Sequence, residues 1–438
     1  MPNRPPNILF LMDDQHRHDV AGFMGNAIVR TPNLDRLAQG AVIFDNAYTP
    51  SPVCVPGRQC MMSGQLPMTN GCRRYGDDLP PFSPTFANQL ALAGYSAVCC
   101  GKLHHQGRDQ MQGWTRRIGM DQHVEPPALG EEAAARHKEF SKNNPPSWDL
   151  KKELEMAGPG TNHFGINDRY TIQGALDFIE ERFTGKNYDR IDSRPILLKI
   201  SLQQPHYPFI CTREKFDDYI GRVRPYPERQ HIVEHFFAKD WTHNPPVSEE
   251  QKLKAIAAYY GMVEEVDAQF GQILGALAAA GQDLDDWIIV YTSDHGDMLG
   301  EFNTWWKLKF YEGSVKVPLF IRAPKRFEGR RLRENVSLCD LYATLCEFAG
   351  AEVAPGRDSR SLVPLLTGDA SSWPDTAVSA YADHVMVKQG PWKYWALAPD
   401  TEVLFNLDED PHEEHDLAGD PKHNKQLRAL RALRGSMN

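Results

Sequence analysis

Apolar residues along this chain come in short dense runs, each closed abruptly by polar groups. Ile8-Leu9-Phe10-Leu11-Met12 ends in Asp13-Asp14-Gln15, and Tyr95 to Cys100 ends in Gly101-Lys102-Leu103-His104-His105. Pro195 to Leu202 ends in Gln203-Gln204-Pro205-His206, and Asp286 to Thr292 in Ser293-Asp294-His295-Gly296-Asp297. Such runs, rich in branched residues and lacking alternation, predict strands buried on both faces. Between them the spacing turns helical, over 31–38, 84–93, 168–183, 249–280 and 338–349. Ser248 caps the longest of these, which is expected to break near Gly261 or Gly271. Strands alternating with helices predict an α/β fold, and in such sheets ligands gather at the carboxyl ends of strands, where these polar groups fall.

Residues 41–44 read as a further strand. From 106 to 167, and again from 214 to 246, periodicity fades while Pro, Gly and charge accumulate, which predicts long loops over a site. Trp114, Arg116, Arg117, His123 and His163 could line a pocket there, although each is the kind of residue that also sits on an ordinary surface. The composition changes near residue 370. Beyond it, 377–381, 385–388, 393–397 and 403–406 predict short antiparallel strands, then an acidic loop over 408–416 and a terminal helix over 422–434. The expected division is a catalytic domain at 1–370 and a small C-terminal subdomain at 371–438.

At 438 residues, with 41% hydrophobic and 24% charged residues, the chain can bury a large core. Its net charge of -10 argues against a general nucleic-acid binder, so any anionic substrate must meet positive charge concentrated in a pocket. The run at 8–12 is too short for a signal segment or a membrane span, giving the expectation of a cytoplasmic protein with no membrane partner. Eight cysteines without a C-x-x-C pair predict buried, reduced thiols rather than a zinc cage.

Cys54 stands out among them. Pro52 and Pro56 flank it, and the Arg58-Gln59-Cys60-Met61-Met62 run that follows has ordinary helix formers, so Cys54 is expected near a helix N-terminus. Unpaired N–H groups and the helix dipole favour an anion there, and Arg58 adds a forked cation about one turn on. Asp13 and Asp14, side by side, repel each other, a cost that a hard cation relieves. Asp294 and His295 bring an oxygen and an imidazole to the same end of the sheet.

The string Cys54-Val55-Pro56-Gly57-Arg58, with Gly64 downstream, resembles the sulfatase signature C-x-P-x-R. Gly101-Lys102-Leu103-His104-His105 resembles that family's G-K-x-H or G-K-x-x-H element, and Pro205-His206-Tyr207-Pro208-Phe209 its second histidine element. Thr292 to Pro318 follows the family's T-S-D-H-G…W-x-K…Y-E-x-S…V-P run with Lys307 at the lysine, departing at Phe302-Asn303, where many relatives have His-Gly. The resemblance spans nearly the whole chain. It implies a mixed sheet sandwiched by helices with a small C-terminal antiparallel sheet, the alkaline-phosphatase-like fold, and points to the iduronate-sulfatase and choline-sulfatase-like branch.

By the same resemblance Cys54 is oxidised to formylglycine by a maturating enzyme. Asp13, Asp14, Asp294 and His295, with position 54, hold a divalent cation, calcium ahead of manganese or magnesium. Arg58, His105 and His206 are expected in catalysis, and Lys102, His104 and Lys307 on the substrate; Gly107 favours His105 over His104 as the catalytic one of that pair. His206 is expected to protonate the leaving oxygen. The implied reaction is hydrolysis of a small sulfate ester, with phosphonate monoester or phosphodiester hydrolysis as the alternative and homo-oligomer formation left open. Relatives acting on phosphorus tend to have Asp-Gln where this chain has Asp13-Asp14-Gln15. A non-catalytic protein on the same fold would lack a ligand or the nucleophile, and none is missing.

Overall fold

The computed structural model describes residues 5–119, 121, 150–185, 192–227, 247–398 and 401–437. Strand β1 (Ile8–Asp13) is buried along its whole length. Ile8, Phe10 and Met12 enter one apolar cluster, while Leu9 and Leu11 enter the cluster on the opposite face. This double burial explains why the run is continuous rather than alternating, and each such side chain contributes about 1.5–3 kcal/mol of transfer free energy.

The other strands of the main sheet are β2 (Ala41–Tyr48), β3 (Ser96–Gly101), β4 (Arg116–Ile118), β5 (Ile196–Ser201), β6 (Ile288–Ser293), β7 (Lys316–Val317), β8 (Leu319–Arg322) and β9 (Arg330–Ser337). Their order is β9-β2-β8-β6-β1-β5-β3-β4, with β7 paired to β2. β1 runs parallel to both β5 and β6, with Asp13 opposite Ser293, and β8 runs antiparallel to its neighbours. Helices α2 (Cys54–Ser63), α3 (Phe86–Leu92) and α6 (Leu341–Ala349) cover one face through Met61, Met62, Phe86, Leu90 and Leu345. Helices α1 (Pro32–Ala38), α4 (His163–Thr184) and α5 (Glu249–Ala279) cover the other through Leu34, Ile172, Phe178, Val266 and Phe270.

A four-stranded antiparallel sheet follows: β10 (Thr376–Tyr381), β11 (His384–Gln389), β12 (Trp392–Ala398) and β13 (Thr401–Asn406), with α7 (Asn424–Gly435) packed on it through Leu427 and Leu430. The mixed sandwich with a small antiparallel sheet is the expected fold class.

Several element expectations need correction. α5 runs unbroken for 31 residues. Gly261 and Gly271 are places of close approach, not breaks: an added Cβ would lie 2.4 Å from Cys211 Sγ at the first and 2.7 Å from Asn33 Nδ2 at the second. α4 begins five residues earlier than its apolar period suggests, because Asn162 caps it by accepting from Gly165 N–H. Within 214–246 the chain forms a helix, Arg213–Ile220, and residues 228–246 lie outside the described ones, as does His123. β9 escapes pattern reading because its outer half, Arg330-Arg331-Leu332-Arg333, is charged at the sheet edge. All eight cysteines are free and buried. No described helix is long and apolar enough to cross a membrane.

Candidate active site

Four strands and one helix terminus converge. β1 delivers Asp13 and Asp14, β6 delivers Asp294 and His295, β3 leads into Lys102 and His104, β5 leads toward His206, and α2 starts at Cys54. Cys54 follows Val53 in extended conformation, so the chain turns directly into the helix and the thiol lies beside its unpaired amides. Cys54 is 1% exposed. Its Sγ lies 3.2 Å from His295 Nε2, 3.0 Å from Lys307 Nζ and 3.7 Å from Asp14 Oδ1. Ligand atoms of Asp14, Cys54, Asp294 and His295 all lie within 4.8 Å of one another.

Three cations offset the carboxylates. Arg58 Nε donates to Asp294 Oδ2 at 2.7 Å and its Nη2 to Asp14 Oδ2 at 3.0 Å, while Nη1 reaches Lys102 O and Ser201 Oγ. Lys102 Nζ sits 2.6 Å from Asp14 Oδ2. Lys307 Nζ donates to Gln15 Oε1 at 2.9 Å and lies 2.9 Å from His206 Nε2. Burial alone would raise the pKa of Asp14, but Lys102 and Arg58 hold it well below the usual carboxylate range. Burial and Asp14 push the Cys54 thiol up, yet Lys102, Lys307 and His295 outweigh them and leave it below its ordinary value. The Cys54 thiol and the Asp14 and Asp294 carboxyls are therefore buried together with the side chains of Arg58, Lys102 and Lys307.

The residues present fit a divalent cation. Asp13 Oδ1 is fully buried without a hydrogen-bond partner among the described residues, a costly state that a cation would relieve. The set of carboxylate oxygens with at most one imidazole suits a hard ion once position 54 also offers oxygen. Asp13 stands apart from the tight cluster of four, its Oδ2 engaged by His16 Nδ1 at 2.7 Å and Tyr291 at 2.8 Å.

The geometry bears on three of the expected roles. His104, at φ 64, turns toward Tyr75, its Nε2 3.4 Å from the hydroxyl, and Tyr75 is itself within electrostatic reach of Cys54 and Asp14. His105 points behind α2 instead: Nδ1 meets Gln59 Nε2 at 2.9 Å, its neighbours are Asp121, Arg117 and Lys199, and burial lowers its pKa to about 3. The two histidines therefore part, His104 toward Tyr75 and His105 toward Gln59 of α2. Arg58 braces the two carboxylates and stands within electrostatic reach of Cys54. His206 is no ready acid, because Nδ1 is 2.6 Å from Tyr207 O and so carries the ring proton, leaving Nε2 to accept from Lys307. Burial first and Lys307 second hold its pKa well below 6.5.

Of the proposed pocket-lining residues, Trp114 packs edge-on against Phe86 in the core, Arg116 pairs with Glu181, and Arg117 with Asp121. His163 lies beside Phe164, whose ring is 5.0 Å from that of His206. Sequence reasoning missed Gln15, which takes φ 67 to aim its amide at Lys307 and Asp297, and Tyr75, which no motif marks.

A cation-ready cluster around a nucleophile at the first residue of a helix, at the carboxyl edge of an α/β sheet, defines an enzyme of group transfer from anionic esters. The profile of the sulfatase family matches residues 6–351, and that of the C-terminal part of N-sulphoglucosamine sulphohydrolase matches residues 300–434. The chain belongs to the sulfatase family. It is 31% identical to a choline-sulfatase of Rhizobium meliloti over 99% of this chain and 86% of that protein. With an arylsulfatase of Clostridium perfringens it shares 28% identity, covering 98% of this chain and 93% of the other. A phosphonate monoester hydrolase of Agrobacterium radiobacter superposes with TM-score 0.76 at 23% identity, covering 99% and 96% of the two chains. A structure in complex with its substrate D-glucosamine-2-N,6-O-disulfate superposes at 0.75 with 21% identity, covering 98% and 97%. At these identities the structural likenesses speak to the fold.

Proposed function

We propose that this protein hydrolyses a small sulfate monoester at position 54, after Cys54 is converted to formylglycine, with a divalent cation held by Asp13, Asp14, Asp294 and His295, calcium ahead of manganese or magnesium. The hydrated aldehyde would supply a nucleophile that can later release sulfate by reforming its carbonyl, and the cation would supply neutralisation of oxyanion charge. Arg58 keeps Asp14 and Asp294 in fixed orientation, and the buried cluster already carries the positive charge that a sulfate ester requires. Lys102 and Lys307 present N–H groups that can neutralise its oxygens, acting where water is excluded. The proton for the leaving oxygen resides on Lys307. His206 Nε2, at 2.9 Å, can receive and return it while Nδ1–H stays fixed to Tyr207 O.

The observation that carries this reading is the placement of Cys54 Sγ at the start of α2, 3.2 Å from His295 and 3.0 Å from Lys307, inside the only buried cluster of metal-ligating atoms found among the described residues. The test combines two measurements. Mass spectrometry of the peptide containing Cys54 should show the mass loss of thiol-to-aldehyde conversion in active protein, and Cys54→Ala should abolish turnover without unfolding. In a panel of aryl sulfate, phosphate diester and phosphonate monoester, the sulfate should have the highest kcat/KM. A faster phosphonate would overturn the choice of substrate, and full activity in Cys54→Ala the choice of nucleophile.

A further inference from the structure

His16 is fully buried three residues after Asp13, and both of its ring nitrogens face oxygen. Nδ1 lies 2.7 Å from Asp13 Oδ2, and Nε2 lies 2.7 Å from Val20 O. Tyr291 reaches the same Oδ2 at 2.8 Å, and its hydroxyl is 2.8 Å from His16 Nδ1. These contacts follow from the fold. β6 runs parallel beside β1 with Tyr291 opposite Leu11 and Ser293 opposite Asp13, so the Tyr291 side chain stands on the same face as the carboxylate and two residues behind it. His16 is anchored independently, its backbone N–H donating to Ser293 Oγ at 2.9 Å.

The consequence is an asymmetric carboxylate. Oδ2 is held from two directions by groups that cannot swing away, while Oδ1 is buried with no hydrogen-bond partner among the described residues. A carboxylate free to rotate would exchange its two oxygens, and would lose rotational entropy on binding a cation. One already pinned loses little.

We propose that His16 and Tyr291 are positioning residues that lock Asp13 so that Oδ1 is the oxygen offered to the cation, and that they thereby set the affinity of the site. The inference rests on the cation site proposed above and goes beyond it, since neither residue touches the ion or the ester.

The test titrates metal-stripped wild type, His16→Gln and Tyr291→Phe with calcium by calorimetry, alongside thermal unfolding of the metal-free proteins. Glutamine can donate to Asp13 or to Val20 but not to both, so His16→Gln should bind calcium roughly 10–100-fold more weakly. Tyr291→Phe should weaken binding by a smaller factor and keeps the ring contacts with Phe23 at 5.9 Å and Phe320 at 5.4 Å, so it carries the test if the histidine variant fails to fold. Because both groups hold one oxygen, the double variant should lose less than the product of the single losses. Lower thermal midpoints with unchanged calcium affinity would overturn the inference, leaving a structural role only. If the wild type bound neither calcium, magnesium nor manganese, the cation site itself would fall, and this inference with it.

Discussion

Replacing Lys307 with methionine keeps most of the side-chain stem and deletes an ammonium that meets Gln15 Oε1 at 2.9 Å, Cys54 Sγ at 3.0 Å and His206 Nε2 at 2.9 Å. Two losses follow, and the substrate separates them. The first is a buried donor directed at the anionic group; it is common to every ester and worth about 2.7–4 kcal/mol, roughly 10²–10³ in kcat. The second is the proton for the departing oxygen, worth roughly 10²–10⁴ where that oxygen is basic and nearly nothing where it is not. Nitrophenyl sulfate, whose phenolate leaves unaided, should therefore slow by about 10²–10³, and an alkyl sulfate by at least a further order of magnitude. His206→Ala, which leaves the ammonium in place, should slow the alkyl ester more than the aryl ester and by less than Lys307→Met does. The assay is steady-state kcat and KM on both esters, with elemental analysis of each variant. Equal slowing of the two esters by Lys307→Met would refute its part in proton delivery. Loss of the metal would refute its assignment to the substrate.

Asp267 on α5 caps α1, accepting from Leu34 N at 2.8 Å and Asn33 Nδ2 at 2.8 Å, and burial raises its pKa to about 6. Because the folded value exceeds the unfolded value of about 3.9, its contribution is full below about pH 4 and is lost as pH rises through about 6, some 3 kcal/mol at 1.36 kcal/mol per unit. Asp267→Asn should flatten that part of the urea midpoint against pH, and an unchanged slope between about pH 4 and 7 would count against the assignment. Gly101, at φ 91, ends β3 with a would-be Cβ 2.2 Å from Ser201 O and 2.8 Å from Thr171 Cγ2. Gly101→Ala should cost about 1–3 kcal/mol in thermal unfolding and also depress kcat by moving Lys102; an unaltered melting temperature would contradict this. Elemental analysis should find calcium rather than stoichiometric zinc, and restoring calcium to stripped enzyme at about 100 times Kd should add about 2.7 kcal/mol of stability, seen as a higher Tm.

Which strand delivers which polar group was legible in the sequence, because a run such as Ile8 to Met12 must be buried and must stop where charge begins. The direction in which a side chain leaves that strand was not. His104 and Gln15 both take positive φ, at 64 and 67, a conformation that neither residue type announces, and that turn sends His104 toward Tyr75 while His105 meets Gln59. Spacing placed the Arg58 cation near Cys54 but not the acceptors, Asp14 and Asp294, that close around its guanidinium, because it reports distance along a helix only. Tyr291 was indistinguishable from core, since its ring is core and its hydroxyl alone belongs to the Asp13 network. The glycines of α5 read as breaks because their missing Cβ atoms answer to Cys211 and Asn33, residues far away in sequence.

The burial of Cys54 has a bearing on timing. His295, which closes over the thiol, follows it by 241 residues, and Lys307 by 253. At a synthesis rate of roughly 5–20 residues per second, roughly 12–48 s pass between the emergence of Cys54 and the emergence of the strand that completes its cover. Throughout that interval α2 lacks the strand that closes over the thiol, and the conversion of Cys54 proposed above would have to take place then. Once β6 has paired with β1 the thiol is out of reach. Under the conversion of Cys54 proposed above, the fraction of chains carrying it would be set by a race between that chemistry and sheet closure, and a chain that lost the race would be folded and without its nucleophile.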